Sequence, residues 1–379
     1  MVYLDYNATT PLAPTARASM LPHLDGGFGN PSSIHAAGRR ARAAIDDARD
    51  SLADLLGVRS HEIIFTGGGT EACNLAVIGL ARAHTPRGKH IITSAIEHHA
   101  VLHAFDYLKT YEGFEVTLLP VNVEGRVNPD DLAAALRDDT TLVSVMHANN
   151  ETGVLQPIEE LVSICAKRGV LFHTDAVQTM GKIPLRPQEL GVSALSLAAH
   201  KFYGPMGVGA LYVGSGIALM PTVHGGAHEN TRRPGTENVA GIAGMASAAT
   251  WATSHASETA ARLSPLREEL WQGIQAQCPS AIRNGNPDHC LPNTLNISFP
   301  GSDGESLLMG LDLEGVCVSS GSACMVGSIQ PSHVLLGMGL PRDTAMATVR
   351  YSLGFHSTPA DIQHAIRATH KVVSRQLPQ

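Results

Sequence analysis

The 379-residue sequence contains no uninterrupted apolar run of about 18 residues, so it encodes no evident membrane-spanning helix. It also lacks a block of like charge. Its 27 basic and 34 acidic residues leave a formal net charge of −7, with neither a basic stripe for nucleic acid nor an acidic solvating tail. The opening stretch MVYLDYNATTP lacks the charged and apolar regions of a secretory signal. Cysteine is sparse. Cys73, Cys165, Cys278, Cys290, Cys317 and Cys324 include no CxxC pair and predict no disulfide framework. HExxH is absent, and His99 with His103 at i,i+4 does not by itself make a ligand set, so no protein metal site is expected. No internal repeat and no low-complexity linker interrupts the chain. These absences leave a soluble, cytoplasmic protein with no direct nucleic-acid and no membrane partner.

What is present is apolar residues, at 44% of the chain, and a length beyond the usual single core. Apolar β-branched runs alternate with helical patterns: EIIFT (62–66), HIITS (90–94), FEVTLLP (114–120), TLVSVMHA (141–148), VLFHTDA (170–176), ALSLAA (194–199) and VGALYV (208–213). Between them, NPDDLAAALRD (128–138) predicts a helix with Asn128 as N-cap and Pro129 at its first position. Strands alternating with helices predict an α/β fold with a mostly parallel sheet covered on both faces, whose ligands bind at the carboxyl ends of its strands. After about residue 240 an Ala-rich helical stretch over 240–277 reads as a passage to a smaller α/β unit. NTLNISF (293–299), GVCVSS (315–320) and ATVRYSL (347–353) read as its strands, and the segment from Pro359 as the last helix.

Five stretches carry side chains suited to chemistry. In LSLAAHKFYGPMGVGALYV (195–213), Lys201 follows a strand of small residues and precedes a Gly/Pro turn. A lysine in apolar surroundings has a lowered pKa and can form a Schiff base, although a surface lysine at a strand end has the same local pattern. FTGGGTEACN (65–74) ends a strand in three glycines and opens a helix, an arrangement that serves either as a tight turn or as an anion site. It is neither GxGxxG nor a P-loop. In FHTDAVQTMGK (172–182), Asp175 closes an apolar strand and wants a cationic partner such as a pyridinium nitrogen, or else caps a helix. In SAIEHHAVLH (94–103), His98 and His99 follow a strand, where a histidine can stack on a ring or simply pack. Cys324 lies in VSSGSACMVGS (318–328), among residues too small and polar to bury it, a setting that predicts a loop able to swing.

In order and spacing, YLDYNATTP, FGNPSSIH, NNETGVLQPI, HTDAVQTMGK, AHKFYGPMGVGALYV, RRPGTEN, SSGSAC and VRYSLG make the chain, over nearly its whole length, resemble the cysteine desulfurases of the NifS/IscS type. These are pyridoxal 5'-phosphate enzymes of fold type I in the class V aminotransferase group. The resemblance implies a large cofactor-binding domain over 14–250, with a mostly parallel seven-stranded sheet. It implies a small domain from 1–13 and 251–379 that carries the catalytic loop, about 319–333. Lys201 would hold the cofactor, His98 would stack on its ring and move protons, Asp175 would face the ring nitrogen, and Gln178 the phenolic oxygen. Gly69, Thr70 and His200 would hold the phosphate, with Thr236 reaching it from a partner subunit, which implies a homodimer. Asn150 would touch cofactor and substrate, and Arg350 would bind the carboxylate of L-cysteine. Cys324 would take the substrate sulfur as a persulfide, release L-alanine, and deliver the sulfur to an acceptor protein in iron–sulfur cluster assembly or thiolation. A selenocysteine lyase, C–S lyase or aminotransferase of the same fold would share all of this but the need for Cys324, the selenocysteine lyase excepted. Three residues depart from the family pattern. Ala198 stands where a phosphate-binding hydroxyl is common, which predicts weaker cofactor retention, and Met206 and Met325 replace Lys and Thr or Ser.

Overall fold

A computed structural model describes residues 1–320 and 330–376. Cys324 and Met325, and with them most of the expected catalytic loop, lie outside the described residues. The strands run in chain order as β1 (Val2–Tyr3), β2 (Ile63–Thr66), β3 (His90–Ser94), β4 (Glu115–Leu119), β5 (Thr140–Ser144), β6 (Leu171–Asp175), β7 (Ala194–Ala198), β8 (Gly209–Val213), β9 (Ile282–Asn284), β10 (Thr294–Ser298), β11 (Val316–Cys317) and β12 (Thr348–Ser352).

Seven of them form one sheet in the order β2-β8-β7-β6-β5-β3-β4. The β7–β6–β5–β3–β4 pairings are parallel, and β8 runs antiparallel to both β7 and β2. Continuous apolar runs fit this sheet because helices cover both faces: every residue of β3, β5, β7 and β8 is buried. Only the edge strand β4 is largely open to solvent. One face packs against helices that include Ala36–Leu56 and Ile158–Lys167, the other against Gly69–Ala83 and His99–Glu112.

A second, antiparallel sheet has the order β12-β10-β9, and β1 pairs with β11 in parallel beside it. The helix Val239–Gln277 spans 39 residues. Its first part, with Ile242, Met245 and Ala249, belongs to the core of the large sheet. Its last part, with Leu263, Leu270 and Ile274, belongs to the core under the small one.

Three elements end earlier than their sequence pattern predicts, each because a specific bond captures the chain. The Pro129 helix, capped by Asn128 as expected, stops at Ala135 because Leu136 turns extended and Thr140 Oγ1 accepts from the Arg137 amide. Strand β5 stops at Ser144 because the Met146 amide donates to the Glu97 carboxyl. The 315–320 segment is split: Val316–Cys317 pairs with the N-terminal strand, whereas Ser319 exchanges two backbone bonds with Arg350.

Candidate active site

Five strands of the large sheet end at one cleft of about 410 Å3. The residue after each strand end, or a few beyond it, lines that cleft: Gly69 and Thr70 after β2, His98 after β3, Asn150 after β5, Gln178 after β6, whose own last residue is Asp175, and His200 with Lys201 after β7. Arg350 enters from the small sheet. The cleft thus brings together nine of the residues that the sequence singles out. It does not include Thr236, which is exposed, and Cys324 lies outside the described residues.

The phosphate-loop candidate follows from the glycines. Gly68 adopts φ +151°, a conformation closed to residues with a Cβ, and starts the Gly69 helix. A Cβ on Gly69 would meet Val177 Cγ2 at 3.0 Å and Ala198 Cβ at 3.1 Å. The first-turn amides of this 15-residue helix have no intrahelical acceptors and open an anion site on the cleft. Glu71 steadies the loop. Its Oε2 accepts from the Gly67 amide at 2.6 Å, and Arg233 Nε donates to its Oε1 at 2.7 Å. Arg42 bonds Glu237 at 2.9 Å. Thr236 therefore projects outward from a turn pinned on both sides.

Lys201 Nζ donates to the carbonyls of Asn7 and Ala8, each at 2.7 Å. Asp175 is buried and its Oδ1 accepts from the Val177 amide at 2.9 Å, as a carboxylate starting a helical turn does. His98 caps its own helix, with Nδ1 accepting from the Ala100 amide at 3.1 Å. Burial lowers the His98 pKa, Lys201, His333 and His103 push it the same way, and Asp175 opposes them. The His98 imidazole is therefore biased toward neutral, which leaves it able to take a proton. Burial, with Lys201 adding to it, brings His200 down to about 4. Its Nδ1 is 3.3 Å from Thr9 Oγ1.

Arg350 is almost wholly buried. Its Nη2 pairs with Asp5 Oδ1 at 2.7 Å, its Nη1 donates to the Asn150 carbonyl at 3.1 Å, and its Nε has no hydrogen-bond partner. The side chain lines the cleft, and a buried guanidinium N–H left without a partner favours the approach of a carboxylate.

Four residues that no sequence argument assigned prove to hold the site. Asn7 accepts from Lys201 and Gln178 at its carbonyl, and its Nδ2 donates to the Asn150 carbonyl at 3.3 Å. Asp5 anchors Arg350. Lys182 bonds Gln178 and Asn7. Glu97 is fully buried, and its Oε1 accepts from Ser94 Oγ at 2.6 Å while its Oε2 has no partner. Desolvation raises the Glu97 pKa to about 8, with Asp175 adding to the rise against the bonds from Ser94 and Met146. All four sit inside YLDYNATTP, SAIEHHAVLH and HTDAVQTMGK. Charge or amide within an otherwise apolar or small-residue motif was the available signal.

Residues 2–364 match the family model for aminotransferase class-V. The cysteine desulfurase IscS of Dictyoglomus turgidum is 49% identical over 374 residues, covering 99% of this chain and 95% of the relative. A solved NifS-like protein superposes with a TM-score of 0.93 at 37% identity, covering 99% of both chains. SspA, solved in complex with cysteine, superposes with a TM-score of 0.81 at 35% identity over 93% of this chain and 99% of its own.

Proposed function

The chain belongs to the aminotransferase class-V family, and from that premise we propose how the residues of its cleft divide the work of turning L-cysteine into L-alanine and transferable sulfur. It is a pyridoxal phosphate-dependent cysteine desulfurase. The observation that carries the assignment of roles is the convergence of Lys201, Asp175, His98 and Arg350 on one cleft from four separate strands.

The donor set fits the cofactor. Gly69, Thr70 and His200 would hold its phosphate, Asp175 its ring nitrogen, Gln178 its phenolic oxygen, His98 its ring face, and Lys201 would bind it covalently through Nζ. Bound there, pyridoxal phosphate supplies an electron sink that no amino-acid side chain offers.

The remaining work belongs to the chain. Arg350, which lines the cleft and whose Nε has no internal partner, binds the substrate carboxylate through its guanidinium, while Asp5 and the Asn150 carbonyl keep the guanidinium plane fixed. Lys201 takes the Cα proton of the substrate, and His98, neutral at the start, takes a second substrate proton and returns it on the product side. Cys324, as thiolate, attacks the substrate sulfur. An S–S bond forms, the carbon–sulfur bond breaks, and the three-carbon fragment is protonated and leaves as L-alanine. The persulfide then passes to a thiol of an acceptor protein in iron–sulfur cluster assembly or thiolation. We place this chemistry in the cytoplasm and in a homodimer. Among the described residues no helix is long and apolar enough to cross a membrane. Two packed cores, one joining residues between Ala13 and Ala252 and one joining Leu4 with residues from Leu263 to Val373, support a large domain over 14–250 and a small one from 1–13 and 251–379.

Lys201→Ala tests the reading. The variant is expected to fold, to lose the visible absorbance of bound cofactor, and to release no alanine from L-cysteine. Alanine release at more than about a hundredth of the wild-type rate would contradict it.

A further inference from the structure

Behind the cleft lies a segment that none of the steps above uses. At Gly181 the chain turns with φ +72°, and the next side chain, Lys182, reaches inward. Its Nζ donates to Gln178 Oε1 at 2.9 Å and to Asn7 Oδ1 at 3.1 Å. Gln178 Nε2 in turn donates to the Asn7 carbonyl at 3.0 Å. Three residues thus form a closed ring, and Lys201 is bonded to the same Asn7 carbonyl.

The direction of these bonds is informative. A carboxamide presents oxygen and nitrogen in nearly the same shape, so its orientation is set by its partners. An ammonium has donors and no acceptor. Both amide oxygens must therefore face Lys182, and both amide nitrogens must face away from it. The Asn7 nitrogen goes to the Asn150 carbonyl at 3.3 Å and to Thr294 Oγ1 at 2.9 Å. The Gln178 nitrogen uses one proton on the Asn7 carbonyl and keeps a second on a side chain that lines the cleft.

We propose that Lys182 is a positioning residue for the desulfurase reaction: Asn293 Nδ2 also donates to Asn7 Oδ1, at 3.0 Å, but Lys182 holds Gln178 Oε1 and so fixes the orientation of the Gln178 amide, which then offers a donor to the phenolic oxygen of the cofactor. The proposal rests on the role assigned to Gln178 above. Placing an amine here is costly. Burial, then the nearby Lys201 and Arg350 cations, lowers the Lys182 pKa to about 7, and both hydrogen-bond acceptors are neutral amides. A lysine kept at such a position is explained by the use made of its protons.

The test measures the dissociation constant of pyridoxal phosphate for the apoprotein and the pH midpoint of the bound cofactor's absorbance. Thermal melting of the apoproteins reports folding. Gln178→Glu leaves Lys182 a partner but removes the donor, and is expected to raise the dissociation constant about tenfold. Lys182→Met is expected to raise it by about three- to tenfold and to move the absorbance midpoint in the same direction as Gln178→Glu. Combined with Gln178→Glu, it should add less than about twofold, because both changes remove one function. If Lys182→Met does not fold, Lys182→Gln serves instead. That glutamine both donates and accepts, so it no longer dictates orientation, and the constant should again rise. An unchanged constant in Gln178→Glu overturns the role of Gln178 and this proposal with it. A loss in Gln178→Glu beside an unchanged constant at Lys182, or losses that multiply in the double variant, overturns the positioning role alone.

Discussion

Ala198 stands where the family resemblance leads one to expect a phosphate-binding hydroxyl. It is buried at the end of β7, against the glycine loop, where its methyl offers the phosphate no hydrogen bond. Ala198→Ser is therefore expected to tighten pyridoxal phosphate binding by about three- to tenfold, the net worth of one ordinary hydrogen bond. Equilibrium dialysis checks it, and an unchanged or weaker constant would show that the loop amides and His200 already satisfy the phosphate. At this scale the sequence was informative wherever a motif names its residue. Lys201, Asp175 and His98 stand out in their own stretches, Gln178 and Arg350 follow only from the family resemblance, and the structure brings all five to one cleft. Asn7, Asp5, Lys182 and Glu97 stood out only as polar residues within their motifs, and their roles were not legible, because what defines those roles is a contact across the chain. The Lys182–Asn7 bond, for example, joins residues 175 positions apart, and no local periodicity encodes such a pairing.

The same contrast holds for the elements. Strands of the large sheet could be read because burial on both faces demands continuous apolar runs, and HIITS became β3 over the residues predicted. The direction of β8 could not be read. VGALYV has the composition of its parallel neighbours, but its connection from β7 is a short turn through Gly204 and Gly207, too brief for a crossover helix, so it pairs antiparallel. The turn after β6 is equally constrained. Gly181 has φ +72°, and a Cβ there would lie 2.5 Å from the Cβ of Ala252 on the long helix. Gly181→Ala is expected to destabilise the protein by about 2–4 kcal/mol through strain and overpacking. Urea denaturation measures this, and a loss below about 0.5 kcal/mol would mean that the turn and the long helix are not tightly packed.

Taken whole, the long helix reaches from the core of the large sheet to that of the small one, and the active cleft draws Arg350 and Asn7 from the small sheet side and the remaining residues from the large sheet. In the proposed homodimer each cleft is completed by the partner's Thr236, which the Arg233–Glu71 and Arg42–Glu237 pairs hold outward. Mixing Lys201→Ala with Thr236→Ala chains should then regenerate wild-type sites in mixed dimers. Random exchange gives about a quarter of all sites. Full cofactor affinity recovered in that fraction supports the shared site, whereas no recovery after verified exchange contradicts it.

The central claim is that this cleft passes sulfur from L-cysteine to one protein thiol. It is tested most directly by a single turnover with L-cysteine, comparing cofactor-loaded wild type with Cys324→Ser. The account predicts stoichiometric alanine and a persulfide mass on the Cys324 peptide for the wild type, and neither for the variant. Alanine formed at the wild-type rate by Cys324→Ser, or sulfide and pyruvate released by both proteins, would contradict it.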